Sequence, residues 1–349
     1  MTLDEVMEQI RPLSEADLAA CWRHWDALAK PLRSLGKLES VIVQIGAIQR
    51  TTKVCLDKKA LLVLCADNGV VEEGVTQTGQ EVTAQVSENF LVEKACTSIL
   101  CKKAGCDIFP VDVGIYRDTC IRNCKIAYGT KNFAKEPAMT REEAIRAIET
   151  GIMLAEEKKA EGYQILATGE MGIGNTTTSS ALASVFLDRP VEEMTGRGAG
   201  LSSAGLNRKI HTIQKAIRKH RPDPTDPIDV LSKLGGFDIA AMAGVFLGGA
   251  ALGMPVVIDG FISGVAALTA KRICETCGDY MIASHVSQEP AAELLLKALG
   301  KEAFLTCDMR LGEGSGAVVL FPILDMALEV YQKMATFEQN EIETYVPLT

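Results

Sequence analysis

The chain lacks an excess of positive charge: 36 lysines and arginines stand against 45 aspartates and glutamates, a net charge of −9 over 349 residues. Without a basic field, nucleic acid and anionic membrane are excluded as main partners, although a local cationic pocket is not. An uncharged apolar run of membrane-spanning length is also missing. The longest candidate, Ile239 to Ile258, is rich in Gly and Ala, contains Pro255 and is followed by Asp259, so a buried helix and strand account for it. The start, Met1-Thr2-Leu3-Asp4-Glu5, has neither the basic residues nor the apolar core of a secretion signal. A cytoplasmic protein is expected. There is no long low-complexity tract and no repeat of fixed period.

Metal-ligand spacing is absent too. The 11 cysteines, an odd number without a secretion signal, read as reduced thiols. Cys101, Cys106, Cys120 and Cys124 lack the paired short knuckles of a zinc ribbon. Cys274-Glu275-Thr276-Cys277 has redox spacing but lies late in an expected helix, away from the helix start that lowers a thiol pKa. Buried small hydrophobes explain both groups, and neither a metal nor a cofactor is expected.

What is present is a sizeable core, with 47% hydrophobic residues, and an alternation of strand and helix signals. Leu18, Cys21, Trp22, Trp25 and Leu28 share a helical face, with Ser14 and Asp17 as a capping pair, before Pro31 interrupts. Pro31 to Glu39 turns into a further helix. Ala60 to Ala66 is a continuous apolar run, the mark of a strand covered on both faces, and ends in Asp67-Asn68-Gly69-Val70. After the loop Glu72 to Gln80, the pattern predicts a helix over 82–104, a strand over 107–113 and a helix over 141–159. Strands are then expected at 164–167, 255–261 and 281–285, with a helix over 202–219 and a small-residue helix opening at Gly235. The expected class is α/β, a mainly parallel sheet with helices on both faces.

The most informative stretch is Thr168-Gly169-Glu170-Met171-Gly172-Ile173-Gly174-Asn175-Thr176-Thr177-Thr178-Ser179-Ser180, between the strand ending at Ala167 and a helix through Ala181 to Phe186. A glycine-rich turn before a helix leaves backbone N–H groups free and aims a helix dipole at an anion. Asn175 stands where a triphosphate-binding loop needs lysine, and Thr177 where a dinucleotide loop needs its third glycine. A monophosphate is therefore expected here, with Glu170 as an unusual carboxylate beside it. A second cluster, Gly196-Arg197-Gly198-Ala199-Gly200, and a third, Leu311-Gly312-Glu313-Gly314-Ser315-Gly316-Ala317, complete the glycine-rich set.

Together these motifs resemble the nicotinate-nucleotide:dimethylbenzimidazole phosphoribosyltransferases. The resemblance runs in order through Pro31 to Glu39, Ala66 to Val70, Gly169 to Thr177, Gly196 to Leu201, Gly235 to Gly244, Asp259-Gly260-Phe261 and Leu311 to Ala317. Two departures stand out: Asn68 where the family commonly has histidine, and Pro290-Ala291-Ala292 where it has Pro-Gly-His. The resemblance implies a Rossmann-like domain over 31–327, a small helical domain from 1–30 with 328–349, and a homodimer. The implied partners are nicotinate mononucleotide as donor of a 5-phosphoribosyl group and an aromatic base as acceptor, with nicotinate released and the anomeric carbon inverted.

By match to the family's glutamate, Glu313 is the expected general base, and Glu170 is the second carboxylate, for the ribosyl cation or a ribose hydroxyl. Donor binding is expected from Gly172, Ile173, Gly174, Asn175, Thr176 and Gly198. The resemblance adds Lys209, and Asp259 is expected at the ribose or in support. Gln80 is the candidate wall of the acceptor pocket, with Met171 and Leu311 as apolar contacts. His285 has no task in this chemistry and reads as structural. A relative taking adenine, another benzimidazole or a phenol fits the same motifs, as does a non-catalytic nucleotide-binding regulator. Retention of both Glu170 and Glu313 argues for turnover.

Overall fold

In the computed structural model, which describes residues 1–345, the apolar runs pair into one parallel sheet. Its strands are β1 (Lys59–Ala66), β2 (Cys106–Gly114), β3 (Arg122–Asn123), β4 (Ile165–Met171), β5 (Val256–Ile258) and β6 (Met281–Ala283), in the order β3-β2-β1-β4-β5-β6. The fold class is the α/β architecture read from the sequence. Every residue of β1 is buried. Ala60, Leu62, Leu64 and Ala66 join the core on one face, while Leu61, Val63 and Cys65 join that on the other. Side chains on a strand alternate between faces, so a run apolar on both faces requires two helical layers.

The chain moves outward from β1 through β2 to β3 and then returns to the opposite side of β1 with β4. The switch point therefore lies at the carboxyl ends of β1 and β4, where open α/β sheets form a ligand crevice.

Three expectations are corrected. β4 continues through Thr168, Gly169, Glu170 and Met171, which pair with Leu62, Val63, Leu64 and Cys65. Gly and Glu are poor strand formers, but a neighbouring strand able to complete the ladder overrides that preference. The glycine turn shrinks to Gly172-Ile173-Gly174, and the helix already begins at Asn175 and runs to Leu187. The helix expected over 82–104 is two helices, Glu81–Asn89 and Cys96–Ala104, separated by a turn in which Phe90 is buried and Glu93 is left-handed. The Cys274 to Cys277 segment lies beyond the end of helix Phe261–Ile273, not inside it.

The chain ends occupy both layers. Leu3, Val6 and Ile10 enter one core, whereas Cys21, Trp25 and Leu28 enter the other with Leu324 and Tyr331. The second group is tied to the C-terminal segment by Ala29 N–H donating to the Ala335 carbonyl at 2.9 Å and Phe337 N–H to the Ala27 carbonyl at 3.0 Å. Ser14 accepts from Asp17 N–H at 3.3 Å and caps helix Glu15–Ala27. The C-terminal helix starts at Ser315, earlier than the boundary at 328, and residues 346–349 of the expected helical unit lie outside the described residues. Helix Ser315–Lys333 has the length and hydropathy of a membrane span, yet Ala317, Leu320, Phe321 and Leu324 are buried in the core.

The tightest helix crossing is between Arg141–Ala160 and Phe237–Ala251. A Cβ added at Gly151 would lie 1.9 Å from the Ala241 carbonyl oxygen, and one at Gly244 would lie 1.9 Å from that of Ile148. The two backbones touch, so any side chain must push the helices apart. Gly244→Ala is expected to lower stability by about 1–3 kcal/mol despite a helix-propensity gain of about 1 kcal/mol. The urea midpoint should fall with the slope unchanged; an unaltered midpoint would mean that the helices part without cost.

Candidate active site

Acidic residues close the carboxyl edge of the sheet. Asp112, Asp67, Glu170 and Asp259 lie at or just beyond the ends of β2, β1, β4 and β5, and all are buried. Three of them have their own donors. Asp112 pairs with Lys125 at 2.7 Å and accepts from the N–H groups of Gly114 and Ile115. Asp67 accepts from Thr83 Oγ1 at 2.6 Å and Tyr116 N–H at 3.0 Å. Asp259 accepts from the N–H groups of Gly314, Gly316 and Ala317 at 3.2, 2.6 and 3.2 Å, and so caps helix Ser315–Lys333. That capping holds the Leu311 to Gly314 turn against the sheet.

Glu313 sits at φ +61 between Gly312 at φ +85 and Gly314 at φ +82, a left-handed run that a non-glycine residue rarely joins. Its neighbour Gly169 explains how it is held: a Cβ there would lie 2.5 Å from the Glu313 carbonyl oxygen. The end of β4 and the third glycine turn are thus in backbone contact. Thr97 Oγ1 donates to Glu313 Oε2 at 2.9 Å, and burial pushes the Glu313 carboxyl above its ordinary range. That raises its basicity.

Glu170 is the acid without a full set of donors. Asn175 Nδ2 donates to its Oε2, and the Glu313 N–H approaches its Oε1 at 3.4 Å. The same Asn175 Nδ2 lies 3.1 Å from Asp238 Oδ2. Burial first, and the nearby Asp238 charge second, push Glu170 well above the usual carboxylate range.

At the start of helix Asn175–Leu187, Asn175 N–H is taken by the Gly172 carbonyl, and Ile173 N–H by Thr83 Oγ1 at 3.1 Å. Gly174, at φ +96, is the cap residue. Among the described residues the N–H groups of Gly174 and Thr176 have no hydrogen-bond partner. Lys209, only 1% exposed, places Nζ 2.8 Å from Thr176 Oγ1 and 3.2 Å from the Gly196 carbonyl, and burial pushes its pKa down to about 8. Gly198 packs on Thr176, where a Cβ would meet Oγ1 at 2.9 Å. The corner thus offers a helix N-terminus, a hydroxyl and an ammonium group.

A cavity of about 240 Å³ joins these pieces. It is bordered by Glu170, Met171, Gly172, Ile173, Asn175, Thr176, Gly198, Asp259, Leu311 and Glu313, all expected from the sequence. Lys209 stands behind Thr176. Besides Lys209, two expected residues do not line the cavity. Gln80 opens helix Glu81–Asn89 and donates to the Asn68 carbonyl at 3.3 Å; Val86, further along that helix, borders the cavity instead. Gly174 faces away, since a Cβ would meet Val71 and Asn68. Three further roles change because the groups are already engaged: the Ile173 N–H by Thr83, the Asn175 amide by Glu170 and Asp238, and both Asp259 oxygens by the helix end. His285 borders the cavity with Nδ1 3.2 Å from Ser284 Oγ, and burial depresses its pKa. Neither Asn68 nor Ala291 and Ala292, where the chain departs from the family pattern, line the cavity.

The sequence reading missed Thr97, Thr83, Asp238, Glu289 and Arg310. Thr97 was hidden by the unread break between helices 81–89 and 96–104. Asp238 opens a helix whose apolar, small-residue pattern signalled only packing. A larger cavity of about 760 Å³ lies at the other end of helices Asn175–Leu187 and Ser203–His220, lined by Arg189, Arg218, Arg221 and Arg272. It holds none of the paired carboxylates, and size alone does not select the site.

Comparison with known proteins gives consistent results. Residues 10–342 match the family model described as phosphoribosyltransferase. An Acetivibrio thermocellus protein named nicotinate-nucleotide–dimethylbenzimidazole phosphoribosyltransferase is 48% identical over 99% of each chain. A Ruminiclostridium cellulolyticum protein of the same name is 47% identical over 100% of each. Among solved structures, that of CobT from Thermus thermophilus superimposes with a TM-score of 0.90 at 38% identity, covering 95% of this chain and 100% of that one.

The buried acids make stability depend on pH. Burial raises Asp238 and Asp259 to about 7 and Asp67 to about 6, from an ordinary 3.8. The folded protein therefore holds these protons where the unfolded chain has lost them. The resulting stability is complete below the unfolded pKa and is lost as pH rises through the folded values. His285, depressed from 6.5, opposes this in part. The protein without substrate is expected to show a lower urea midpoint at about pH 7.5 than at about pH 5, with a smaller loss in Asp238→Asn. Equal midpoints for the unmodified protein would contradict the assignment.

Proposed function

Because the chain belongs to the nicotinate-nucleotide–dimethylbenzimidazole phosphoribosyltransferase family, we propose that it moves the 5-phosphoribosyl group of nicotinate mononucleotide onto a nitrogen of dimethylbenzimidazole. The products are alpha-ribazole phosphate and nicotinate. The observation that carries this reading is the convergence of Glu313 and Glu170 on one cavity, with an anion-binding corner at Thr176 and Lys209 beside it.

The donor's ring nitrogen is already cationic, so nicotinate leaves without a proton. The chain has three tasks. Thr176 N–H and Oγ1, Gly198 and Lys209 hold the phosphate, where helix dipole and ammonium act together. Glu170 places negative charge beside the ribosyl carbon as positive charge develops there. Glu313 accepts the proton from the second nitrogen of the acceptor while the first attacks, with inversion. Met171 and Leu311 supply apolar contact to the rings; Leu311 is 52% exposed, as suits a residue waiting to be covered by a ligand. Gly312 has a specific need, because a Cβ there would lie 2.4 Å from Glu170 Oε1.

The decisive experiment incubates the protein with nicotinate mononucleotide and a panel of benzimidazoles, purines and phenols, and identifies products by mass. Release of nicotinate with a ribosylated benzimidazole is expected. A donor that binds but is never consumed would instead favour a nucleotide-binding regulator. Glu313→Gln is expected to lower kcat by about 10²–10⁴-fold, the usual worth of a positioned base, with donor affinity nearly unchanged. Lys209→Met should weaken donor binding by about 10–100-fold, the range of a lost charge-assisted hydrogen bond. Full turnover in the first variant, or unchanged donor affinity in the second, would remove the corresponding role.

A further inference from the structure

Asp238 is buried and no step above uses it. It lies in the first turn of helix Phe237–Ala251, where glycines allow the close approach of its carboxylate: a Cβ at Gly236 would lie 2.4 Å from Oδ1, and one at Gly172 would lie 3.0 Å from Oδ2. Oδ1 accepts from the Ile239 N–H at 3.0 Å. Oδ2 is left to Asn175 Nδ2 at 3.1 Å, the same amide nitrogen that donates to Glu170 Oε2.

The groups around this pair are mostly acidic. Asp259 faces it from the end of β5 and Asp67 from the end of β1, while Glu313 borders the same cavity on the third glycine turn. His285 is held towards its neutral form by burial, Arg310 lies elsewhere on the cavity lining, and Lys209 is bonded to Thr176 and Gly196. Among the described residues, no lysine, arginine or histidine lies within ion-pair distance of Glu170 or Asp238. Two carboxylates that share one neutral donor in a dry site cannot both stay ionised without a cation.

We propose that Glu170 and Asp238, bridged by Asn175, act as one unit that holds a proton while the cavity lacks a cation and gives it to solvent when the donor's cationic ring enters. Asp238 is then a positioning residue that sets the charge on Glu170. Donor binding itself recruits the full negative charge that faces the ribosyl cation. The inference rests on the proposed donor, whose positive ring supplies the charge that expels the proton.

Calorimetric titration of nicotinate mononucleotide in buffers of different ionisation enthalpy counts the protons released on binding. At about pH 6.5 the unmodified protein is expected to release more protons than Asp238→Asn, because without the neighbouring Asp238 charge Glu170 holds its proton less tightly before the donor binds. Glu170→Gln should show the same deficit, which guards against a folding defect confined to the first variant. The nucleotide with a reduced, uncharged ring should release fewer protons from the unmodified protein than the cationic donor does. The acidic limb of the kcat profile should move to lower pH in Asp238→Asn, a change that loss of packing would not produce. Equal proton counts for the unmodified protein and both variants, or for charged and uncharged donors, overturn the inference while leaving the transferase reading intact. Absence of any donor binding overturns that reading and this inference with it.

Discussion

The site depends on one carboxylate, Asp259, which commits both oxygens to the backbone of a helix end. By gripping Gly314, Gly316 and Ala317 it fastens helix Ser315–Lys333 to the tip of β5. The turn before that helix then has nowhere to go but onto Gly169, whose missing side chain leaves room for the Glu313 carbonyl. Glu313 thereby takes a left-handed conformation, and its backbone N–H turns towards Glu170. A strained residue persists because its surroundings over-determine it, and here the surroundings are a capped helix and a strand end.

A protein of net charge −9 handles an anionic substrate by separating its fields. The helix start at Gly174 and the buried ammonium of Lys209 make a local positive corner. The acids at the strand ends make a wall next to it that is poised to take on negative charge when a cation approaches. In the proposed reaction, the donor's phosphate and cationic ring would meet these two regions in complementary orientation. Burial strengthens each, because neither is screened by water.

Much of this was legible in local patterns. The run Ala60 to Ala66 announced a doubly covered strand, and Gly172-Ile173-Gly174 announced the helix start. The long motifs around Glu170 and Glu313 carried the family resemblance that the matches over nearly the full chain bear out. Less legible were positions whose roles depend on what packs beside them. Gln80 had the right chemistry for a ring contact but faces the Asn68 carbonyl, and Asn175 had the right place for a phosphate contact but lies between two carboxylates. The turn at 90–95 was masked because Phe90 to Lys94 contains neither Gly nor Pro to mark a break.

By itself the sequence determined the parallel α/β class and the glycine turns, since hydrophobic runs and glycine conformations act over a few residues, while the two glutamates were singled out through the family resemblance. Only the tertiary structure decided which groups restrain them. Thr97 reaches Glu313 across 216 residues, and Asp238 reaches Asn175 across 63. Such pairings arise where strands and helices from distant segments share one edge of the sheet. The energy of a buried carboxylate depends on those neighbours and not on its own place in the chain.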